Sequence, residues 1–338
     1  MEHFAPHSSS AFEGWYFKFD LSSGAHIALI VCSVPNAKDR PHMVSFTYYP
    51  KTGSPIFQRN HWVSDIKRVK TGPGHAFELQ VPDLGSVTVG EDSSTNYSFA
   101  CSEWSLEAAT SSSHTPWSPQ KNTPEGWLVH LPLPLHWHVH SLYSPCTFKL
   151  NIPSLGLNKA DYAIIHQEKN WASSFPSSHM WIQARDADNG VCLAGGKILG
   201  LTAYLISYRS PDLNLDFVPP FAVSALGLSP FMSISIDYAS RAFAISVSSL
   251  LSKMELKASA PRDEGWFQLA CPFPEGFRKN FCTENFLANI EVKISRRGSV
   301  WPWMRAFWAW EEVRTVSYQN ASLEFAGGYY PDRGEKRE

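Results

Sequence analysis

The sequence predicts an all-β protein, and three observations carry that prediction. Short segments with alternating apolar and polar residues recur along most of the 338 residues. Turn chemistry separates them, as in Ser22-Ser23-Gly24, Lys51-Thr52-Gly53 and Thr71-Gly72-Pro73-Gly74. Long amphipathic helix patterns are few: 304–313 offers one, but Pro302 and the large aromatics around it leave that stretch ambiguous. Many short strands with regular turns indicate a sandwich or a barrel.

Residues 12–20 alternate, which sets Glu13, Trp15, Phe17 and Phe19 on one face and Gly14, Tyr16 and Lys18 on the other. Further strands are predicted over 26–33, 44–49, 76–81 and 86–89. The pattern resumes at 135–142, 161–166, 179–185, 196–208, 231–238 and 242–247, and closes with 291–295, 313–318 and 322–325. Two stretches could divide the chain: the Ser/Thr/Pro-rich 110–125 and the loop-like 150–159. The second leaves halves of 1–150 and 151–338, each large enough for its own core. No repeat of fixed period is visible.

Hydrophobic residues make up 43% of the chain and charged ones only 18%, with 13 Trp, 12 Tyr and 21 Phe. Such aromatic content fills cores and lines pockets for large apolar or conjugated ligands. A net charge of -2 and a pI near 6.7 remove the electrostatic footprint of a nucleic-acid binder. The basic run Lys67-Arg68-Val69-Lys70 reads as a solvated turn or strand edge. The six cysteines (Cys32, Cys101, Cys146, Cys192, Cys271 and Cys282) form no CxxC pair, and the N-terminus lacks the pattern of a signal peptide. Reduced thiols in a cytoplasmic protein are therefore expected. No run approaches 18 apolar residues, so no transmembrane segment is expected. Oligomeric state is left open.

The chemistry concentrates in two places. One is His166-Gln167-Glu168-Lys169-Asn170-Trp171 with the Trp181-Ile182-Gln183 strand; the other is Phe12-Glu13-Gly14-Trp15-Tyr16-Phe17. Glu168 among tryptophans could be a desolvated proton donor, with its pKa raised toward neutrality. It could instead form a surface pair with Lys169 beside core tryptophans, although on a strand the two point to opposite faces. Glu13 shares an aromatic face, where a carboxylate either borders a pocket or is buried against an Arg or a backbone amide. His136, His138 and His140 line one strand face, but the outer two lie roughly 13 Å apart, too far for one ion. No Cys or His cluster with metal-site spacing accompanies them, so a pocket wall or a solvated face is expected and no metal site. Gly195-Gly196 and Gly327-Gly328 open no helix and are not phosphate loops, and no GxSxG elbow is present. The cluster Trp301, Trp303, Phe307, Trp308 and Trp310 reads as core, or as a hydrophobic lid.

Together, Phe12-Glu13-Gly14-Trp15-Tyr16-Phe17, 134–142, Glu168-Lys169-Asn170-Trp171, Phe175-Pro176, Trp181-Ile182-Gln183 and Ser322-Leu323-Glu324 resemble the tocopherol cyclase family, in family order from residue 11 to about 328. That family is distantly similar to lipocalin-like pericyclases, which fold a polyene for Diels–Alder closure. The resemblance implies a β-sandwich plus a lipocalin-like β-barrel, with a pocket between or within two β-rich domains. It implies an isomerase-type cyclase, needing no cofactor, that closes a ring on a lipophilic prenylated phenol or polyene of secondary metabolism. An acid would protonate the alkene and a phenol oxygen would capture the cation, while aromatic walls exclude water. Glu168 or Glu13 would donate the proton. Trp15, Tyr16, Trp171 and Trp181 would shape the pocket, with Asn170, Gln183, His136, His138 and His140 orienting polar groups. A pericyclic closure would use the same walls without an obligatory acid. A non-catalytic carrier of lipophilic ligands is the competing class.

Overall fold

A computed structural model gives the protein's structure and describes residues 3–53, 55–117, 123–131, 133, 135–186, 188–298 and 309–331. The chain forms two compact units: Met1–Phe175 with Cys271–Arg278, and Pro176–Ala270 with Lys279–Glu338. Both are all-β. Among the described residues the helical content is two short 3-10 turns, Gly126–His130 and Pro153–Leu155. No helix among them is long and apolar enough to cross a membrane.

In the first unit a meander runs through β1 (Phe12–Leu21), β2 (His26–Ser33), β3 (His42–Tyr49) and β4 (Phe57–Val63). A second meander runs through β5 (Lys67–Lys70), β6 (Phe77–Val81), β7 (Gly85–Val89), β8 (Thr95–Ala100), β9 (Ser105–Thr110) and β10 (Leu135–Ile152). Strand β11 (Leu157–Ala172) joins them by pairing with β10 and β1, giving one antiparallel sheet in the order β4-β3-β2-β1-β11-β10-β9-β8-β7-β6-β5. The sheet curls over its own apolar face. Phe46 on β3 stacks on Trp104, beyond β8, at 4.0 Å, and the Trp104 indole donates to His61 Nε2 on β4 at 2.9 Å. Gln167 on β11 spans the interior to Thr95 Oγ1 and Tyr97 OH on β8, each at 2.9 Å. Alternation fills the core: Trp15, Phe17 and Phe19 of β1, Phe148 and Leu150 of β10 and Ile165 of β11 share one cluster.

The second unit contains β12 (Ser178–Arg185), β13 (Gly190–Ile198), β14 (Leu201–Arg209), β15 (Asn214–Phe217) and β16 (Val223–Ala225). Then come β17 (Met232–Asp237), β18 (Ala242–Ser248), β19 (Ser252–Ser259), β20 (Phe267–Phe273), β21 (Gly276–Arg297) and β22 (Trp310–Gly327), with the end of β20 and the start of β21 counted in the first unit. Its main order is β15-β14-β13-β12-β22-β21-β19-β18-β17, with β16 on β14 and β20 on β21. This sheet also curls: Tyr204 on β14 meets Phe243 on β18 at 5.9 Å across the core.

Strands β4, β5, β8, β9, β15, β16, β19 and β20 lie outside the predicted segments, and the single strand predicted over 196–208 is instead the end of β13, a turn at Leu199-Gly200 and β14. Strand β8 alternates buried Tyr97 and Phe99 with exposed residues and β4 carries Phe57 and Trp62, so the pattern is present but short, and pairing with neighbours completes it. The basic run 67–70 is the edge strand β5, where charge deters further pairing. The 150–159 stretch is the hairpin turn between β10 and β11, with Gly156 at φ 62°. Strand β11 therefore pairs inside the first sheet, and the division falls after Phe175 rather than near residue 150. Most of the 304–313 helix candidate, and Trp301, Trp303, Phe307 and Trp308, lie outside the described residues. Trp310 begins β22.

The Gly195-Gly196 pair has a steric explanation. A Cβ on Gly196 would stand 1.9 Å from the Ser178 carbonyl oxygen, and one on Gly195 would stand 2.2 Å from that of Ala203. The strand has no room for side chains where β12 and β14 close on it. Gly196→Ala should lower stability by about 2–3 kcal/mol, seen as a reduced urea midpoint at unchanged slope.

Candidate functional site

Strand β11 carries opposite chemistry on its two faces. Lys169 and Trp171 have the parity of core residue Ile165, whereas Glu168 and His166 point the other way. Cross-strand register extends both sets: Glu13 lies opposite Trp171 and Trp15 opposite Lys169, while Tyr16 lies opposite Glu168 and Lys18 opposite His166.

On the core face Glu13 is buried and held by cations. Its Oε1 meets Lys169 Nζ at 2.6 Å and its Oε2 meets Arg68 Nη1 at 3.0 Å. The His7 backbone N–H also donates to this carboxylate. Burial alone would raise the Glu13 pKa, but the His7 hydrogen bonds and the Lys169 charge outweigh it and hold the carboxyl at about 2. Lys169 donates further to Ala5 O and, at 2.8 Å, to His7 Nδ1. An imidazole nitrogen that accepts from an ammonium is unprotonated, which agrees with burial lowering the His7 pKa. Lys169 also lies 4.8 Å from the Trp15 ring centre and 5.4 Å from that of Trp171. This network fastens the N-terminal segment, with Phe4 in the core and its carbonyl accepting from Trp15 Nε1 at 2.9 Å. Of the two readings of Glu13, the buried one paired with an Arg and a backbone amide describes its surroundings. A carboxyl ionised at every ordinary pH cannot serve as the acid.

The opposite face holds a different pair. His166 Nδ1 lies 3.2 Å from the Leu142 carbonyl oxygen, and Nε2 lies 2.9 Å from Glu168 Oε2. A carbonyl only accepts, so Nδ1 carries a hydrogen. The Nε2 contact then needs one more proton, shared as imidazolium–carboxylate or as imidazole–carboxylic acid. Either way one proton lies between the two groups. Around it the ladder sets Tyr16 and Val139 opposite Glu168, Lys18 opposite His166, and Trp137 opposite Asn170. Lys18 is itself paired with Asp20 at 2.8 Å.

His136, His138 and His140 approach the core side of β10 in different ways. His136 and His138 lie opposite Trp171 and Lys169, and His136 stacks on Trp171 at 5.0 Å. A register shift between Val139 and Ser141 takes His140 out of the ladder, and it stacks on Phe4 at 4.3 Å. Trp181 and Gln183 belong to the second unit, on the face of β12 opposite core residues Met180 and Ile182. On that face His179 Nε2 lies 3.7 Å from Glu324 Oε1, and burial lowers the His179 pKa to about 4.

Thus Glu13, Trp15, Trp171, His136 and His138 share one face of the first sheet, and Glu168, Tyr16 and Asn170 share the other. Three participants are not singled out by the sequence pattern: His166 as a partner of Glu168, Arg68 and His7. The i,i+2 spacing of His166 and Glu168 places both on one strand face and is the signal that could reveal that pair. Nothing local announces Arg68, 55 residues from Glu13.

No family model matches the sequence, and no curated protein matches it. Solved structures do match in shape. CghA, crystallised with Sch210972, superposes with a TM-score of 0.61 at 11% identity, over 94% of this chain and 88% of that one. Kievitone hydratase from Nectria haematococca gives 0.56 at 8% identity, covering 96% and 91%. NE1406 of Nitrosomonas europaea, an AttH candidate, gives 0.55 at 10% identity, covering 96% and 94%. At such identities the likeness establishes the fold. This chain has the two-sheet, lipocalin-like β architecture of those proteins.

Proposed function

We propose that this protein is a cofactor-independent enzyme that closes a ring within a lipophilic prenylated phenol or polyene. Glu168 is the proton donor and His166 its partner. The observation that carries this reading is the Glu168–His166 pair, which holds a transferable proton on a face bearing Tyr16 and Trp137. Protonation of a trisubstituted alkene breaks its π bond, forms a C–H bond and leaves a tertiary cation. A phenol oxygen then adds to the cation and loses its own proton, which returns to the pair. The product is an isomer of the substrate. Aromatic faces favour the cation, and a buried site keeps water from capturing it.

The fold supports a lipophilic small-molecule substrate, since one neighbour was crystallised with Sch210972 and another bears the name of a hydratase. Hydration begins with the same alkene protonation, so one acid serves either outcome. Incubating the purified protein with geranylated and farnesylated hydroquinones, followed by mass spectrometry, tests the reading. An isomer of new retention time is expected. A product heavier by one water would instead make it a hydratase, and stoichiometric binding without conversion would make it a carrier.

A further inference from the structure

The Glu168–His166 pair leaves a second carboxylate–imidazole arrangement unused. Glu125, buried at 3% side-chain exposure, accepts from His136 Nδ1 at 2.7 Å and from the Trp137 backbone N–H at 2.6 Å. The Trp137 bond, with a hydrogen bond from the Glu125 backbone N–H to Thr123 Oγ1 at 3.0 Å, fixes the carboxylate in place. A carboxylate bound at Nδ1 selects the tautomer with hydrogen there and leaves the Nε2 lone pair for another donor. No protein group among the described residues bonds Nε2, and the side chain remains 12% exposed. The ring is held flat against Trp171, whose indole also stacks on His7 at 4.2 Å. Such an imidazole is oriented, electrostatically supported and reachable.

We propose that Glu125 and His136 form a proton-accepting site for the hydroxyl of a phenol, distinct from the Glu168–His166 pair. His136 and Glu168 lie on opposite faces of adjacent strands, so one does not complete the other's site. In the transfer the phenol O–H bond breaks, its electron pair stays on oxygen, and the proton joins Nε2. The resulting imidazolium is balanced by Glu125. The other charged or titratable groups near it are His7, whose pKa burial lowers, His3, which stacks on the same Trp171 at 5.6 Å, His138 on the same strand face, and the mutually paired Glu13, Lys169 and Arg68. Acidity selects the ligand class. A carboxylic acid arrives already ionised at neutral pH, and an aliphatic alcohol holds its proton too tightly for imidazole. An apolar body suits the surroundings, because the turn that follows Glu125 presents Trp127 at 69% exposure and Leu131 at 39%. His136 is the residue that touches the ligand, and Glu125 positions it.

4-Nitrophenol tests the proposal, because its phenolate absorbs where the phenol does not. It is titrated into the full-length protein at a pH where the unbound dye is mostly protonated. A saturable gain of the phenolate band is expected. His136→Gln should abolish the gain, Glu125→Gln should cut it roughly tenfold, and Glu125→Asp should restore most of it. No saturable gain, or a gain unchanged in His136→Gln, overturns the proposal. Nitrogen NMR of the unmodified protein provides a check that needs no variant: His136 should carry its hydrogen on Nδ1, and a hydrogen on Nε2 overturns the assignment.

Discussion

Replacing Lys169 with methionine should destabilise the protein by about 3–5 kcal/mol in urea unfolding, because Glu13 is left as a buried carboxylate short of its main cation. Arg68 still reaches the other carboxylate oxygen and sets the lower end of that range. The N-terminal segment should loosen as well, since Lys169 bonds Ala5 O and His7 Nδ1 in addition to Glu13. Faster amide exchange over residues 4–13 would report this. Pairing Lys169→Met with Glu13→Gln should recover part of the loss, because removing both charges removes the desolvation cost of each. A double variant no more stable than Lys169→Met would mean that packing around the lysine stem, rather than charge, holds the cluster.

The same groups set the acid limit of the fold. Glu13 has a folded pKa of about 2 against an ordinary 4.5, so its contribution is complete above 4.5 and is lost as pH falls from there toward 2. His179 acts in a higher window. Burial holds it neutral down to about 4 against an ordinary 6.5, so the unfolded chain binds the proton first and stability declines as pH falls from 6.5 to 4. Each displacement corresponds to something on the order of 3 kcal/mol. In Lys169→Met the Glu13 window should move upward, because one of the causes of its depression is gone.

Glu168→Gln should reduce turnover by about 10²- to 10⁴-fold with little change in KM, the loss typical of removing a general acid. Glutamine retains the size and a hydrogen-bonding carbonyl but has no proton to give. His166→Gln should lower turnover in parallel, since it removes the imidazole that bonds the Glu168 carboxyl. Retained turnover in Glu168→Gln would transfer the reaction to the pericyclic class, in which the pocket holds a reactive conformer and no acid is needed. Glu13→Gln separates the two glutamates: its main effect should be on stability, because Glu13 is already ionised and has no proton to donate.

The alternation of residues 12–20 is enough to place Glu13, Trp15 and Phe17 on one face, and β1 has that arrangement. The opposed directions of Glu168 and Lys169 are equally legible, because successive side chains on a strand must alternate. The role of each glutamate is not. Both stand beside tryptophans in sequence, yet one meets Lys169 and Arg68 while the other meets His166. Residue type cannot distinguish a carboxylate held ionised from one that shares a proton, because the difference lies in the partners that strand pairing and sheet curvature bring to each. The 150–159 loop signal is real, but a hairpin turn and a domain linker use the same Gly and Pro chemistry.

The sequence by itself determined the all-β class, the face each side chain takes on its strand, and a core rich in aromatic rings. These follow from periodicity and composition, which are local. Tertiary structure alone decided that β11 joins two meanders into one curled sheet, that Arg68 and His7 reach Glu13, and that Glu125 bonds His136. Those facts depend on strand register and sheet curvature, which bring together residues distant in the chain. Glu13 and Glu168, alike in sequence, part company there: one meets Lys169 and Arg68, and the other meets His166.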